Sequence, residues 1–428
     1  MRFALVAFLL FCNGIILEAN EVVATTGFIS SIGVSQIVIV WAIDMTIIII
    51  TSGIYSLFVD RAKRSQLAII LYLAFAAAYF ILYFVFTQTQ ISTFGYAILL
   101  VLNDQQWLLF PLIVWALAND MFSTSEAKRL FPVLGIAAFT GGMVGNALSA
   151  VIAQLAGVSY GLFLFNTLLI LFSAGVMMVT FRRITFNTRQ SRAGEKLFDA
   201  LKEGLGFVRE VPMYRHLTLT MILLGIGLNM IEFDFLRRVS ESILTGAELQ
   251  TFYGSFKLAV ALGLLIVQSF VATWVLNRVG FKGIFNILPI VMFSALALAV
   301  FSPVLLTIVL ANYVVRVTKQ GIDDPSNKAF QGLVPDERRG RVSAFMDGYL
   351  YPLGSLIGCF VVGATLLAVS RGVFTTGTAS AIYLSIAALC ALVALWSASR
   401  IRIVYDTSML NWRLKRRKRA SSLADIEF

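Results

Sequence analysis

Apolar residues in this chain gather into long runs separated by short polar links. Each run is close to the ~20 residues an α-helix needs to cross a hydrocarbon core. About twelve can be counted: 3–26, 34–58, 67–86, 95–118, 133–156, 160–181, 216–239, 249–276, 284–301, 304–322, 342–369 and 379–398. The pattern predicts an all-α membrane protein. One stretch, Asn119–Gly145, joins the end of the fourth run to the fifth through a link carrying Lys128 and Arg129. The fifth run opens at Pro132 and holds the G-x-x-x-G pair Gly141 and Gly145. A related hairpin returns later: the run ending near Asp323 and Asp324 leads through PDERRGR (335–341) into a run with Gly354 and Gly358. In both, the small residues would let helices approach closely.

The links repeat as well. SLFVDRAKRSQ (56–66) follows the second run and TWVLNRVGFKG (273–283) the eighth; each puts Asp or Asn directly before Arg. Two six-helix bundles follow, 1–181 and 216–399, with a linker at 182–215 and a basic tail at 400–428.

Composition agrees: 59% of the 428 residues are hydrophobic and only 13% charged, a balance that would aggregate as a soluble domain. The net charge of +11 invites a nucleic-acid partner, but the basic residues sit in links and tail. Alternate links hold them (Arg61, Lys63 and Arg64; Lys128 and Arg129; 182–215; Arg278 and Lys282; Arg338, Arg339 and Arg341), with Arg371 as the exception. By the positive-inside rule both termini face the cytoplasm, which an even number of spans permits. The opening MRFALVAFLLFCNG has the look of a signal peptide, yet no small-x-small cleavage site clearly follows, and it is read as a retained first helix. In the long link, Leu197, Leu201, Leu205 and Val208 fall at helical spacing. That predicts an amphipathic helix, lying on the membrane surface or serving only to join the bundles. The tail RLKRRKR is an anchor for acidic lipid heads or a docking point for a partner protein.

Catalytic and metal chemistry find little here. Cys12, Cys359 and Cys390 lie inside apolar runs without ligand spacing, and the one histidine, His216, opens a run at its basic end as an interfacial residue. No nucleophile–base arrangement or phosphate loop is present, so neither an enzyme nor a cofactor is expected.

Charges within the runs are the candidate chemistry, since each ionised group near the bilayer centre costs about 2.5–3.5 kcal/mol or more. Asp44 falls near the middle of the second run, and Asn103, Asp104, Gln105 and Gln106 near the middle of the fourth. Glu18 and Glu21 lie in the outer half of the first. Together they make the first half's interior acidic. In the second half, Asp234 with Arg238 and Arg237 with Glu241 are four apart and can pair along one helix, as can Lys319 with Asp323. Lys257 and Arg316 have no acid four places away. They reach either a central cavity or an interhelical partner such as Asp44, Asp104 or Glu232. The candidate substrate-binding set is Glu18, Asp44, Asn103, Asp104, Gln105, Glu232, Lys257, Arg316 and Lys319. Asp60, Arg61, Lys128, Arg129, Arg339 and Arg341, at inner helix ends, are gate or anchor candidates.

Two six-helix halves with matched links resemble the major facilitator superfamily, whose folds place substrate near the midplane and work by rocking. NDMFSTSEAKRLFPVLGIAAFTGGMVGNAL and DDPSNKAFQGLVPDERRGRVSAFMDGYLYPLGS resemble the fourth-to-fifth and tenth-to-eleventh helix regions of the ATP/ADP translocase family, the nucleotide exchangers of plastids and intracellular bacteria, and of its bacterial relatives. The resemblance implies a secondary transporter in a bacterial inner membrane. Family exchangers carry a basic residue in the first helix that helps hold phosphate; here that helix has Glu18 and Glu21 and no Lys or Arg after Arg2. An acidic first half together with Lys257 and Arg316 in the second points to an anion or zwitterion as the solute, nucleotide-like or not. A lipid-handling or scaffold protein with a transporter fold is the alternative.

Overall fold

The computed structural model describes residues 1–59, 63–88, 92–122, 124–156, 160–183, 199–243, 246–280, 282–302, 304–331, 333–334, 342–343 and 345–424. Helices account for nearly all of them: α1 Arg2–Ser31, α2 Ile37–Val59, α3 Arg64–Gln88, α4 Ser92–Met121, α5 Thr124–Ala156, α6 Tyr160–Phe181, α7 Asp199–Glu210, α8 Pro212–Ser242, α9 Gly246–Ile266, α10 Ala272–Val279, α11 Ile287–Phe301, α12 Leu305–Thr318, α13 Asp324–Gln331, α14 Tyr351–Ser370 and α15 Thr376–Ala424. Among the described residues, eleven helical segments are long and apolar enough to cross a membrane. The remaining expected span, 304–322, begins as α12, only 14 residues long, and runs through the π-turn Lys319–Asp323 into α13.

The chain packs as two compact units, Met1–Leu197 with Leu236–Gly263, and Phe198–Phe235 with Leu264–Phe428. In the first, α1 is the central helix, packed on α4, α5 and α6. Its approach to α5 depends on glycine. A Cβ on Gly141 would meet the carbonyl of Phe11, one on Gly145 that of Ile15, and one on Gly14 the backbone of Ala138 and Gly142. Backbone atoms cannot swing aside, so the helices close this far only because the side chains are missing.

The second unit repeats the device between α8 and α14. A Cβ on Gly354 would meet the carbonyl of Ile222, one on Gly358 that of Ile226, and one on Gly225 that of Tyr351. Phe11, Gly14 and Ile15 thus correspond to Ile222, Gly225 and Ile226, and Gly141 and Gly145 to Gly354 and Gly358. The sequence repeat is therefore also a repeat of contact geometry.

The link helix α7 departs from the expectation that it lies on the membrane surface. Phe207 and Val208 are buried in an apolar cluster with Tyr214, Phe330 and Phe345, and Leu201 packs at its edge. Gly204 lies directly against Phe345, while Leu205 is 41% exposed; Leu197 lies outside the described residues. An apolar stripe at helical spacing seeks any apolar surface, and here the protein core supplies one.

Candidate functional site

The first unit holds an ionic centre made of a buried lysine and two half-buried glutamates. Lys257 on α9 is only 7% exposed, and its Nζ lies 2.8 Å from Glu18 Oε2 and also pairs with Glu21. Helix α9 brings it there with one face: Gln250, Tyr253 and Lys257 recur every three or four residues and so point the same way. Gln250 Nε2 donates to the Ser149 carbonyl at 3.1 Å and Tyr253 OH to Glu21 Oε1 at 3.4 Å. Gly254, between them, abuts Ala150 and the Asn146 carbonyl. Asn146 Nδ2 completes the shell by donating to Glu18 Oε2 at 2.9 Å. The centre holds one ammonium against two carboxylates.

The polar tetrad of α4 divides between two tasks. Gln106 accepts from Tyr79 OH at 2.6 Å and donates to Asn13 at 2.8 Å, a buried link tying α1, α3 and α4. Asn20 and Asn166 tie α1 to α6 in the same manner, at 2.6 Å. Gln105 turns instead to Asp44, donating to its Oδ1 at 3.3 Å. Asp44 is 1% exposed. Asp104, next to Gln105 on α4, is half-buried. Asn103 is buried, and its Oδ1 faces no donor among the described residues.

In the second unit Arg316 on α12 pairs with Glu232 on α8, Nη2 to Oε1 at 2.5 Å and Nε to Oε2 at 3.0 Å. This fork-on-fork geometry is the strong form of an ion pair. Asn312, one turn earlier, donates to Glu232 at 2.9 Å and accepts from Arg316 at 3.1 Å. The glycine correspondence carries Glu21 onto Glu232, Glu18 onto Asn229 and Asn146 onto Cys359. Asn146 contacts Glu18, and Asn229 contacts Cys359 together with Ser355. The two ion pairs therefore rest on matched carboxylates, each met by a cation from another helix.

Lys319 is held within its own helical segment, 2.7 Å from Asp323 and 2.6 Å from Asp324. Arg237 pairs with Glu241 at 2.8 Å, as the spacing suggests. Asp234 is fully buried and accepts from Ser380 at 2.8 Å and Tyr383 at 2.5 Å. Of the gate candidates, Asp60, Arg61, Arg339 and Arg341 lie outside the described residues, as does the side chain of Lys128; Arg129 is exposed near the start of α5. At that end of the first unit, Arg64 meets Asp120 at 2.7 Å and Arg2 donates to the Met121 carbonyl at 2.9 Å. Gln250, Tyr253, Asn146 and Asn312 were missing from the sequence-based set. The three- and four-residue spacing of Gln250, Tyr253 and Lys257 was the available signal.

The sequence profile of the TLC ATP/ADP transporter family matches residues 84–322. No curated protein sequence matches the chain. Among solved structures, a mutant of the nucleoside transporter NupG is similar at 13% identity with a TM-score of 0.70, covering 93% of this chain and 100% of that one. The POT family transporter PepTSo is similar at 11% identity with a TM-score of 0.67, covering 94% and 98%. The expected major facilitator fold is borne out, as is the resemblance to the ATP/ADP translocases. The protein is an integral membrane transporter rather than an enzyme.

Proposed function

Because this chain belongs to the TLC ATP/ADP transporter family, we propose that it is a secondary transporter that moves a nucleotide- or nucleoside-type solute by alternating access, with Lys257 in one unit and Arg316 in the other as the cations suited to anionic or polar groups of a solute. The observation that carries this reading is the buried ammonium of Lys257, shared between Glu18 and Glu21. A charge placed this deep requires partners, and carboxylate partners are exchangeable for the carboxylate or phosphate of a solute. After Arg2 the first helix has no basic residue, whereas the family resemblance implies one within it. Lys257 brings an ammonium to that same helix from α9, so the role is filled from a different element. Arg316, paired bidentately with Glu232, has the planar donor set suited to a phosphate or carboxylate. The basic links and tail support an orientation with both termini in the cytoplasm, and the family resemblance supports a bacterial inner membrane.

Uptake by the purified protein in proteoliposomes tests this with labelled ATP, ADP and adenosine. Lys257→Gln and Arg316→Gln should abolish uptake. Lys257→Gln combined with Glu18→Gln and Glu21→Gln should recover thermal stability without recovering uptake, which separates binding from folding. Normal uptake by both single variants would overturn the site assignment. Failure of the wild type to take up any of the three would overturn the solute class.

A further inference from the structure

His216 opens the apolar run of α8, and Trp396 lies near the end of the run in α15. Their rings meet edge to face at 6.1 Å. Ser397 Oγ donates to the His216 carbonyl at 2.9 Å, so the start of one span is fixed to the end of the other. Arg400, one turn past Trp396, lays its guanidinium over the indole at 5.6 Å. That stacking uses only the flat face, and the N–H donors in the guanidinium plane still point outward. Arg215, next to His216, is exposed, as are Arg400 and Trp396. Arg64, Arg237 and Arg316 each have a carboxylate partner; among the described residues Arg215 and Arg400 have none. One turn deeper into the spans, Leu219 follows Arg215 on α8 and Leu392 precedes Trp396 on α15, and both are exposed. Residues four apart share a helix face, so an apolar strip runs into the membrane below the cations.

Two guanidinium groups without an acid, set where hydrocarbon gives way to water and above an apolar strip, match an amphiphile with an anionic head. We propose that Arg215, His216, Trp396 and Arg400 form a binding site for one acidic phospholipid. Its phosphate accepts from the two arginines, whose planar donor sets suit phosphate. Trp396 lies at the level of the glycerol esters, where an indole sits in a bilayer. One acyl chain follows Leu219 and Leu392. Basic pockets between helices at a membrane surface hold such head groups, whereas inorganic phosphate would gain nothing from the apolar strip. The bound lipid braces α8 against α15 within the second unit. The site depends on the membrane location alone and is independent of the solute.

Thermal unfolding of the full-length protein, stripped of lipid by detergent exchange, tests this by titration with phosphatidylglycerol, phosphatidylcholine and inorganic phosphate. A ligand of the folded form raises the midpoint. Phosphatidylglycerol should raise it in the wild type, and the other two should not. In Arg215→Gln combined with Arg400→Gln, the phosphatidylglycerol concentration giving half the rise should increase by about tenfold or more. The substituted side chains are exposed, so the lipid-free midpoint should stay near that of the wild type. Arg278→Gln removes the cation that lies over Trp274 at 5.4 Å on the single helix α10 and should leave the titration unchanged. No rise in the wild type, an unchanged titration in the double variant, or an equal loss in Arg278→Gln would overturn the site. An equal rise with phosphatidylcholine or with inorganic phosphate would overturn the acidic lipid as its occupant.

Discussion

Arg316 and Glu232 meet through two parallel N–H···O contacts, at 2.5 and 3.0 Å, although more than eighty residues separate them in sequence. Asn312 contacts both partners. Removing one partner of such a pair leaves the other desolvated and unmatched, which costs more than the pair itself contributes. Glu232→Gln and Arg316→Gln should therefore each lower the thermal midpoint, and the double variant should recover part of the loss. A double-mutant cycle read by thermal unfolding should give a coupling of about 0.5–3 kcal/mol; additive effects would show that the two do not act as a pair.

The glycine contacts give opposite expectations at different positions. Gly141→Ala and Gly354→Ala place a methyl group against the Phe11 and Ile222 carbonyls and should destabilise by about 1–3 kcal/mol through overpacking. Gly175, inside α6, has nothing within 4 Å of its added Cβ. Gly175→Ala should be neutral, or stabilising by up to ~1 kcal/mol through helix propensity. Equal effects at all three sites, measured by thermal unfolding in detergent, would contradict the close approach of α1 to α5 and of α8 to α14.

Asp234 is completely buried, and Tyr383 donates to it at 2.5 Å. Tyr383→Phe keeps the ring, which packs edge-on against Phe233 at 5.8 Å, and removes only the donor. The expected loss is about 1–3 kcal/mol, the range for leaving a buried acceptor short of a donor. Ser380 remains as a donor, so Tyr383→Phe combined with Ser380→Ala should cost more than either change alone, as read by the thermal midpoint.

Helix α7 provides a test of protein docking against membrane docking. Phe207 is buried and lies edge-on to Tyr214 at 4.9 Å, so Phe207→Ala should cost about 3–5 kcal/mol. Leu205→Ala should change stability by no more than ~0.5 kcal/mol. A helix resting on lipid would give small effects at both positions in detergent, and thermal unfolding distinguishes the two cases.

The linear pattern determined what depends on neighbours in sequence. Run lengths set the spans, because a helix rises by a constant amount per residue. Recurrence of G-x-x-x-G marked where helices touch, and that contact is now seen at both sites. Pairs four residues apart, Arg237 with Glu241 and Lys319 with Asp323, could be read directly, since helix geometry alone brings them together. Tertiary structure decided the rest. Lys257 reaches Glu18 and Glu21 because Gly254 lets α9 close on α5, and nothing in local spacing encodes that approach. The adjacent Gln105 and Gln106 point to Asp44 and to Asn13 because successive side chains on a helix diverge by about 100°, so the rotation of α4 chooses their partners. The apolar stripe of α7 was visible, but its partner was not. Amphipathicity states only that one face avoids water, and whether lipid or the Phe330–Phe345 core covers it depends on which surface the folded chain brings within reach.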